Sequence, residues 1–197
     1  RNPVDRSYSL YNWMIKEGYE RIYPFEEALK LEQVRIKDEH FKYTNPQYYY
    51  NYLYFSSGCY AAQVSRYLAA FPREQLKIIL FDDLKNEPVK VTQGVYDFLG
   101  VGRYFIPHVD VFNKNQSLFS VPIQYFVKQK LTQYLEIFPR GLTNLFHSCA
   151  LALNIFLGRY RHRALRASTR NELLGLYKDE IRKTANLINR NLDIWLK

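Results

Sequence analysis

The chain has 197 residues and carries 28 Lys and Arg against 19 Asp and Glu, for a net charge of +9. Hydrophobic residues make up 47%, and Gly and Pro number only eight each, which excludes a disordered or fibrous protein and predicts one globular domain. Its two cysteines, Cys59 and Cys149, exclude a disulfide framework and match no metal-ligand spacing. We therefore expect two free, mostly buried thiols and no metal site.

The first residues, Arg1-Asn2-Pro3, have none of the features of a signal peptide, so the cytoplasm is the default location. The longest apolar stretch, Leu142 to Gly158, is 17 residues long and contains polar interruptions. It is shorter than the roughly 20 residues that cross a bilayer. We predict a buried helix there, and a membrane-surface or partner-facing helix is the alternative.

The excess of positive charge lies entirely in the second half of the chain. Residues 1–100 carry 13 basic and 13 acidic side chains, whereas residues 101–197 carry 15 and 6. Five arginines crowd into twelve residues, namely Arg159, Arg161, Arg163, Arg166 and Arg170. This density indicates either a site for an anion or a solvated basic loop. Nucleic acid is not expected as a partner, because the chain has no zinc-finger spacing, no bZIP heptads and no RNP-like motif.

Helical patterns dominate the first 71 residues. Asn2 followed by Pro3 is typical of a helix start, and apolar residues then recur at helical spacing until Gly18. A second helix is predicted over Phe25 to Lys37, and Tyr43 to Phe55 is predicted to be a polar-aromatic connection. A third helix is predicted over Gly58 to Phe71, ended by Pro72.

One segment, Gln75 to Phe81, has the short apolar composition of a strand that is covered on both faces in a parallel sheet. A single such strand cannot satisfy its ladder hydrogen bonds unless other strands lie beside it. We therefore predict the C-terminal part of a larger α/β domain, mostly helical, with at least one parallel strand in this chain. A complete all-α protein with a stray edge strand is the alternative.

The rest of the chain is predicted to be helical. A helix over Glu87 to Leu99 has Pro88 in its first turn and Gly100 just beyond its end. Further helices are expected over Pro122 to Phe138, Leu142 to Leu157 and Thr169 to Asn189. The last of these has a capping box formed by Thr169 and Glu172.

The start of the first helix has the residues of a candidate anion-binding site. Arg1 precedes the helix, and the hydroxyl of Ser9 follows eight residues later. A helix N-terminus with its free N–H groups, an Arg before it and a Ser on the adjoining turn can hold a phosphate. A surface Arg and a Ser that bonds back to its own helix explain the same spacing.

The residue string R-N-P-x-x-R-x-x-S-x-Y resembles the 3′-phosphate-binding motif of the sulfotransferases that use 3′-phosphoadenosine 5′-phosphosulfate (PAPS). The resemblance covers about the first hundred residues, and the end from Thr169 to Leu196 is similar to the terminal helix of the family. Residues 120–165 match nothing in the family and are expected to be a helical insertion or a family-specific segment. The matching strings after the first motif are FEEAL at 25–29, GCY at 58–60, FPREQL at 71–76, FDDL at 81–84, EP at 87–88 and FLGV at 98–101.

This resemblance implies the C-terminal part of a P-loop-like, three-layer sulfotransferase domain, in which residues 1–197 form one domain. It implies that Arg1 and Ser9 hold the 3′-phosphate of PAPS. Tyr60 is implied near the adenine, although it fits the core equally well. Lys114 is a second phosphate-binding candidate, and an ordinary loop lysine is the alternative.

The chain departs from the family pattern in one respect. No strand and phosphosulfate-binding loop precede Arg1, so the catalytic groups are expected upstream and the chain is expected to be incomplete for catalysis. His108 and His147 are the histidines whose neighbourhoods approach such a site, and His108, just before the Lys114 loop, is the candidate base.

The resemblance implies transfer of a sulfuryl group from PAPS to a hydroxyl or amine, with no metal. The Arg159 to Arg170 cluster would suit an anionic carbohydrate or an acidic carrier-protein surface, so an anionic or carrier-bound acceptor is expected, and contact of residues 142–158 with a membrane is not. A noncatalytic nucleotide- or anion-binding interaction module is the alternative function.

Overall fold

The computed structural model describes residues 1–108, 120–131 and 164–197, together with 145–146, 148–150, 152–153 and 156. The described residues form helices and short helical turns, and no strand is assigned among them. The α-helices are α1 (Pro3–Lys16), α2 (Phe25–Lys30), α3 (Glu32–Lys37), α4 (Glu39–Thr44), α5 (Tyr60–Ala70), α6 (Phe81–Asn86), α7 (Pro88–Leu99), α8 (Val121–Phe126) and α9 (Ala167–Ile188). Short 3₁₀ turns cover Tyr49–Tyr52, Ser56–Gly58, Arg73–Gln75 and Asp193–Leu196, and a π turn covers Val127–Leu131.

The chain divides into two compact units. The first unit contains Arg1–Asn2, Cys59–Lys114 and Lys178–Lys197, and the second contains Pro3–Gly58 and Asn115–Tyr177. Helices α5, α6 and α7 therefore belong to the first unit, and α1 to α4 and α8 belong to the second. The residues of α9 are shared, since the division falls after Tyr177.

Helix α1 confirms the predicted first helix. Its apolar face, formed by Val4, Tyr11, Met14 and Ile15, is buried in the second unit. The helix ends where Gly18 adopts a φ of +71°, which a residue with a side chain rarely does. A side chain at this glycine would also lie 2.6 Å from Cβ of Lys128, so the turn requires glycine for two reasons.

The predicted helix over 25–37 is two helices, α2 and α3, divided at Leu31. A further helix, α4, was not predicted. It begins where the Asp38 carboxylate accepts a hydrogen bond of 3.0 Å from the Phe41 amide. A side-chain cap therefore starts a helix just before the aromatic connection.

A buried ion pair fixes the turn between α1 and α2. Arg35 Nη2 lies 2.8 Å from Glu20 Oε2, and both side chains are almost completely buried. The Glu20 carboxylate also accepts hydrogen bonds from the Tyr54 hydroxyl and from the amides of Arg21 and Ile22. The pKa of Tyr54 is raised, chiefly by burial and then by the negative charge of Glu20. The buried charges of Glu20 and Arg35 therefore have hydrogen-bond partners inside the protein, and the pair holds the turn between α1 and α2 in place.

In the first unit, Leu76 to Leu80 occupies the place of the predicted strand. Leu76 (φ −116°, ψ 114°) and Leu80 (φ −82°, ψ 138°) are extended, but no ladder is assigned within the described part of the chain. Arg73–Gln75 is a 3₁₀ turn and Phe81 already begins α6. The parallel strand therefore stays a prediction.

Helices α5 and α7 confirm two further predictions. Helix α5 covers the predicted segment before Pro72. Helix α7 begins at Pro88 and ends before Gly100, whose φ of +65° is the left-handed C-terminal conformation expected there.

The capping box predicted at Thr169 is wrong. Helix α9 begins at Ala167, so Thr169 lies inside its first turn. Its hydroxyl instead donates a 2.7 Å hydrogen bond to Glu26 Oε1 of α2. The helix ends at Ile188 because Asn189 adopts a φ of +51° and the Arg190 amide bonds back to the Ala185 carbonyl.

The buried helix predicted over 142–158 is wrong for the residues that the structure describes there. These residues are helical, but their large apolar side chains are exposed, and Phe156 keeps 86% of its accessible surface. Cys149 is also exposed and Cys59 is half-buried, so the two free thiols are not the buried pair that was expected. Among the described helices, none combines the length and the apolar character needed to span a bilayer.

The predicted helix over 122–138 lies only partly within the described residues. There, α8 begins at Val121 and is capped by Ser120, whose side chain accepts from the Ile123 amide. The helical insertion predicted over 120–165 lies mostly outside the described residues.

Candidate functional site

Arg1 is held at the surface of the first unit by contacts on both its backbone and its side chain. Its carbonyl accepts a hydrogen bond of 2.9 Å from the Tyr60 hydroxyl. Its guanidinium lies over the ring of Phe81, with Cζ 5.0 Å from the ring centre. Such stacking uses the face of a guanidinium, whereas phosphate oxygens accept from the N–H groups at its edge.

Asn2 ties the same end of the chain to the C-terminal turn. Its buried side-chain amide donates a 3.0 Å hydrogen bond to the carbonyl of Trp195. The Trp195 indole in turn donates a 2.6 Å hydrogen bond to Asp82 Oδ2 in α6. The closing Ile194-Trp195-Leu196 segment therefore holds Asn2, the residue next to Arg1, in place.

Tyr60, the first residue of α5, belongs to this arrangement. It is half-buried, and its ring centre lies 6.3 Å from that of Trp195. The structure therefore brings together two of the predicted site residues, Arg1 and Tyr60. The observed contact explains Tyr60 as a residue that positions the Arg1 backbone, and its place near an adenine stays a prediction.

Ser9 lies on α1, within the second unit, and is half-buried. Among the described residues, its side chain makes no hydrogen bond. Ser7, two positions earlier, is fully buried, and its Oγ lies 2.8 Å from the carbonyl oxygens of Pro3 and Tyr54 and 2.9 Å from the hydroxyl of Tyr177. Ser7 is therefore part of the core, and a role of the Ser9 hydroxyl in holding a phosphate stays a prediction.

A second motif residue, Arg6, also has an internal role. Its guanidinium donates to the hydroxyl of Ser57, which itself donates to the Tyr54 carbonyl at 3.1 Å. Sequence analysis gave no role to Arg6 or Ser7. Arg6 is a fixed position of the motif and Ser7 lies beside it. Their partners come from about 50 residues away or more, so the motif spacing could not predict these contacts.

Gly58 precedes Tyr60 in one of the family-like strings, and the structure gives a packing reason for it. A Cβ at this position would lie 2.5 Å from the hydroxyl oxygen of Tyr177. The ring of Tyr177 stacks on Phe55 at 4.6 Å, so the tyrosine has no room to move away. The glycine is required for close packing within the second unit.

Two arginines of the basic cluster lie within the described residues, and both face acidic side chains. Arg166 Nε lies 3.7 Å from Glu26 Oε1, and Arg170 forms an ion pair with Asp5. Partial burial raises the pKa of Glu26, but hydrogen bonds from the Thr169 hydroxyl and from its own backbone amide, together with the positive charges of Arg166 and Lys30, outweigh it and leave the pKa below its usual value. The other three arginines lie outside the described residues.

Only one of the remaining predicted site residues, His108, lies within the described residues. His108 is exposed at the end of a described segment, and Lys114 and His147 lie outside the described residues. Across the described ranges, no three His, Cys, Asp or Glu side chains group closely enough to hold a metal ion.

A family model for the sulfotransferase domain matches residues 1–120. The chain belongs to the sulfotransferase domain family. The match contains Arg1, Ser9 and Tyr60, as well as the extended run before α6. The resemblance predicted from the sequence is therefore confirmed.

The sulfotransferase fold also agrees with a solved structure. A sulfotransferase from Alicyclobacillus acidocaldarius, known from its crystal structure, is 26% identical to this chain with a TM-score of 0.65. The match covers 100% of this chain and 55% of that protein, so the chain spans about half the length of its structural relative. No curated protein matched the sequence.

Arg1 and Ser9 of this sulfotransferase chain fall in different compact units. That both residues bind the same phosphate stays a prediction, as do the contact of Tyr60 with the adenine and the binding of a phosphate by Lys114.

Proposed function

We propose that these residues are part of a PAPS-dependent sulfotransferase that transfers a sulfuryl group to a hydroxyl or an amine. The observation that carries the proposal is the R-N-P-x-x-R-x-x-S-x-Y string inside the matched sulfotransferase region. It is supported by the different surroundings of the residues within that string. Arg6 and Ser7 have structural partners, whereas Arg1 is held at the surface and Ser9 keeps a half-buried hydroxyl.

In the proposed site, Arg1 and Ser9 hold the 3′-phosphate. The planar fork of a guanidinium can meet two phosphate oxygens at once, and a serine hydroxyl can donate to a third. The first N–H groups of α1 add positive potential at the same end of the helix. The residues present therefore suit a phosphate monoester, which is the group that distinguishes PAPS from other adenine nucleotides.

PAPS supplies the activated sulfuryl group. Its in-line transfer needs positioning and cations near the bridging oxygen. Lys114 is a second phosphate ligand in this proposal, and His108 is the candidate base. The acceptor is a hydroxyl or amine compound, for which an anionic carbohydrate or a carrier-bound molecule suits the excess of basic residues.

The test compares the affinities of 3′-phosphoadenosine 5′-phosphate and adenosine 5′-phosphate by isothermal titration calorimetry. Charge-assisted hydrogen bonds contribute about 1.5–3 kcal/mol each, so loss of the 3′-phosphate should weaken binding by about 10- to 100-fold. Arg1→Ala and Ser9→Ala should each remove most of the preference for the 3′-phosphate. Arg66→Ala and Ser65→Ala, which change exposed residues of α5 in the same way, are the matched controls.

Equal affinities for the two nucleotides would contradict the proposal. They would leave a noncatalytic anion-binding module as the function of these residues. An unchanged preference in the Arg1→Ala variant would remove Arg1 from the site.

A further inference from the structure

A closed ring of contacts in the first unit joins Arg1 to the start of α6 and to the C-terminal turn. The Arg1 guanidinium lies over the ring of Phe81, the first residue of α6, at 5.0 Å from its centre. The next residue of the helix, Asp82, accepts a 2.6 Å hydrogen bond from the Trp195 indole. The Trp195 carbonyl in turn accepts a 3.0 Å hydrogen bond from the side chain of Asn2. Asn2 adjoins Arg1 in the chain, so the ring of contacts closes there.

The part of this ring around Trp195 is removed from solvent. Trp195 and Asn2 are almost completely buried, and Asp82 is half-buried. A buried donor that loses its acceptor is unfavourable, so these hydrogen bonds strongly restrict where Asn2 can lie. Tyr60 acts in the same direction, because its hydroxyl donates to the Arg1 carbonyl while its ring contacts Trp195. The backbone on both sides of the Arg1 Cα is therefore fixed.

Two adjacent carboxylates of α6 have different partners. Asp82 accepts from the buried indole of Trp195, whereas Asp83 forms a 3.0 Å ion pair with Arg190 at the surface. Within the described part of the chain, the Asp83 carboxylate makes no hydrogen bond to any member of the ring. The two aspartates therefore have the same charge and lie in the same helical turn, but only Asp82 is connected to Arg1.

We propose that Trp195 and Asp82 are positioning residues for nucleotide binding, which act by holding the Arg1 guanidinium ready for the 3′-phosphate. This inference rests on the proposed function, in which Arg1 binds that phosphate. An arginine side chain has many rotamers, and ordering it on binding weakens the affinity. The ring of contacts orders Arg1 beforehand. Stacking on Phe81 occupies a face of the guanidinium, whereas phosphate oxygens accept from its edge, so the two contacts are compatible.

The experiment measures the 3′-phosphate preference, which is the ratio of the affinities for 3′-phosphoadenosine 5′-phosphate and adenosine 5′-phosphate, by isothermal titration calorimetry. Asp82→Asn and Asp82→Leu remove the same charge, but only asparagine keeps an oxygen that can accept from the indole. The preference should therefore be about 3- to 10-fold lower in Asp82→Leu than in Asp82→Asn, because Arg1 then has to be ordered by the ligand. Trp195→Phe, which removes the indole N–H and keeps an aromatic ring, should lower the preference by a similar factor.

Matched controls separate positioning from general stability. Asp83→Asn and Asp83→Leu make the same changes one residue later, where the partner is Arg190, and should show equal preferences. Trp13→Phe makes the tryptophan substitution on α1 and should leave the preference unchanged. A purely structural role of Trp195 would lower the thermal midpoint and weaken both nucleotides by the same factor, so the ratio of affinities would not move.

A second measurement needs no nucleotide. The Phe81 ring shifts the proton resonances of a side chain that lies over it, so the Arg1 Hδ shifts report the stacking by NMR. These shifts should move toward their values in an unstructured peptide in Asp82→Leu and in Trp195→Phe, and should stay in place in Asp82→Asn.

The outcomes distinguish this inference from the proposed function. Equal 3′-phosphate preferences in Asp82→Asn and Asp82→Leu, or Arg1 shifts that no substitution changes, would overturn the inference and leave the proposed function standing. Equal affinities for the two nucleotides in the unsubstituted chain would contradict the proposed function itself, and the inference with it.

Discussion

Two serines of α1, Ser7 and Ser9, belong to one motif but have different surroundings. Residues two positions apart on a helix point in different directions, so they do not share partners. Ser7 is fully buried among the oxygens of Pro3, Tyr54 and Tyr177, whereas Ser9 is half-buried. Ser7 therefore holds α1 to the core, whereas Ser9 has no such role within the described residues.

Ser7→Ala should lower the free energy of unfolding by about 1–3 kcal/mol, because it removes a buried hydroxyl that is bonded to Tyr177 and to backbone carbonyls. Ser9→Ala should change it by less than about 0.5 kcal/mol, as is usual away from the core. Urea unfolding of the two variants makes the comparison. A larger loss of stability in Ser9→Ala than in Ser7→Ala would contradict the assignment.

At the scale of elements, polar side chains join α2 to the start of α9. The Glu26 carboxylate of α2 accepts from the Thr169 hydroxyl and faces Arg166. Burial raises the pKa of Glu26, but the Thr169 hydrogen bond, a hydrogen bond from the Glu26 backbone amide and the positive charges of Arg166 and Lys30 lower it below the usual value. A carboxylate with a lowered pKa in the folded state stabilises the fold above its unfolded pKa of about 4.3, and that contribution is lost as the pH falls through the folded pKa.

Thr169→Val should raise the pKa of Glu26 and reduce the loss of stability on acidification below about pH 5, because it removes the hydrogen bond that favours the carboxylate. Carboxyl carbon shifts of Glu26, followed by NMR over an acid titration, measure the pKa directly. Thr92→Val should leave the titration of Glu26 unchanged. An unaltered pKa in Thr169→Val would show that the Thr169 hydroxyl does not stabilise the carboxylate.

The elements that could be predicted from the sequence are those with local signals. Helices α1 and α7 have a proline in the first turn and a glycine that ends them at a positive φ. The predicted start of α9 was wrong. Thr169 has the sequence pattern of a helix cap, but its hydroxyl instead donates a hydrogen bond to Glu26, 143 positions away. A local pattern cannot reveal such a partner.

For the candidate site, the sequence predicts residues but not the contacts that hold them. The motif predicts Arg1 and Ser9 as phosphate ligands, because the family pattern fixes their spacing, and this role stays a prediction. The anchoring of Asn2 by Trp195 joins residues 193 positions apart, and no periodicity in the sequence indicates it. The contact of Tyr60 with the Arg1 carbonyl was hidden for the same reason.

At the scale of the whole molecule, apolar surface is buried very unevenly. Helix α1 has seven buried residues, whereas none of the twelve residues of α7, all of them described, is buried. The segment that follows α7 exposes Tyr104, Phe105 and Ile106, the first of them at 99%. These three side chains bury little of their apolar surface in the fold. The part of the first unit around α7 therefore gains less free energy from burial of apolar side chains than its apolar content would allow if those side chains were buried.

This difference predicts that α7 opens without global unfolding. Local opening takes less free energy where few apolar contacts are broken, so α7 amides should exchange faster than α1 amides at every low denaturant concentration. Their exchange should depend little on urea, because opening α7 exposes little new surface, whereas exchange in α1 should follow global unfolding with a steep urea dependence. Native-state hydrogen exchange monitored by NMR makes this measurement. Equal protection and equal urea dependence in α1 and α7 would mean that the chain unfolds as one cooperative body, although α7 has no buried residue.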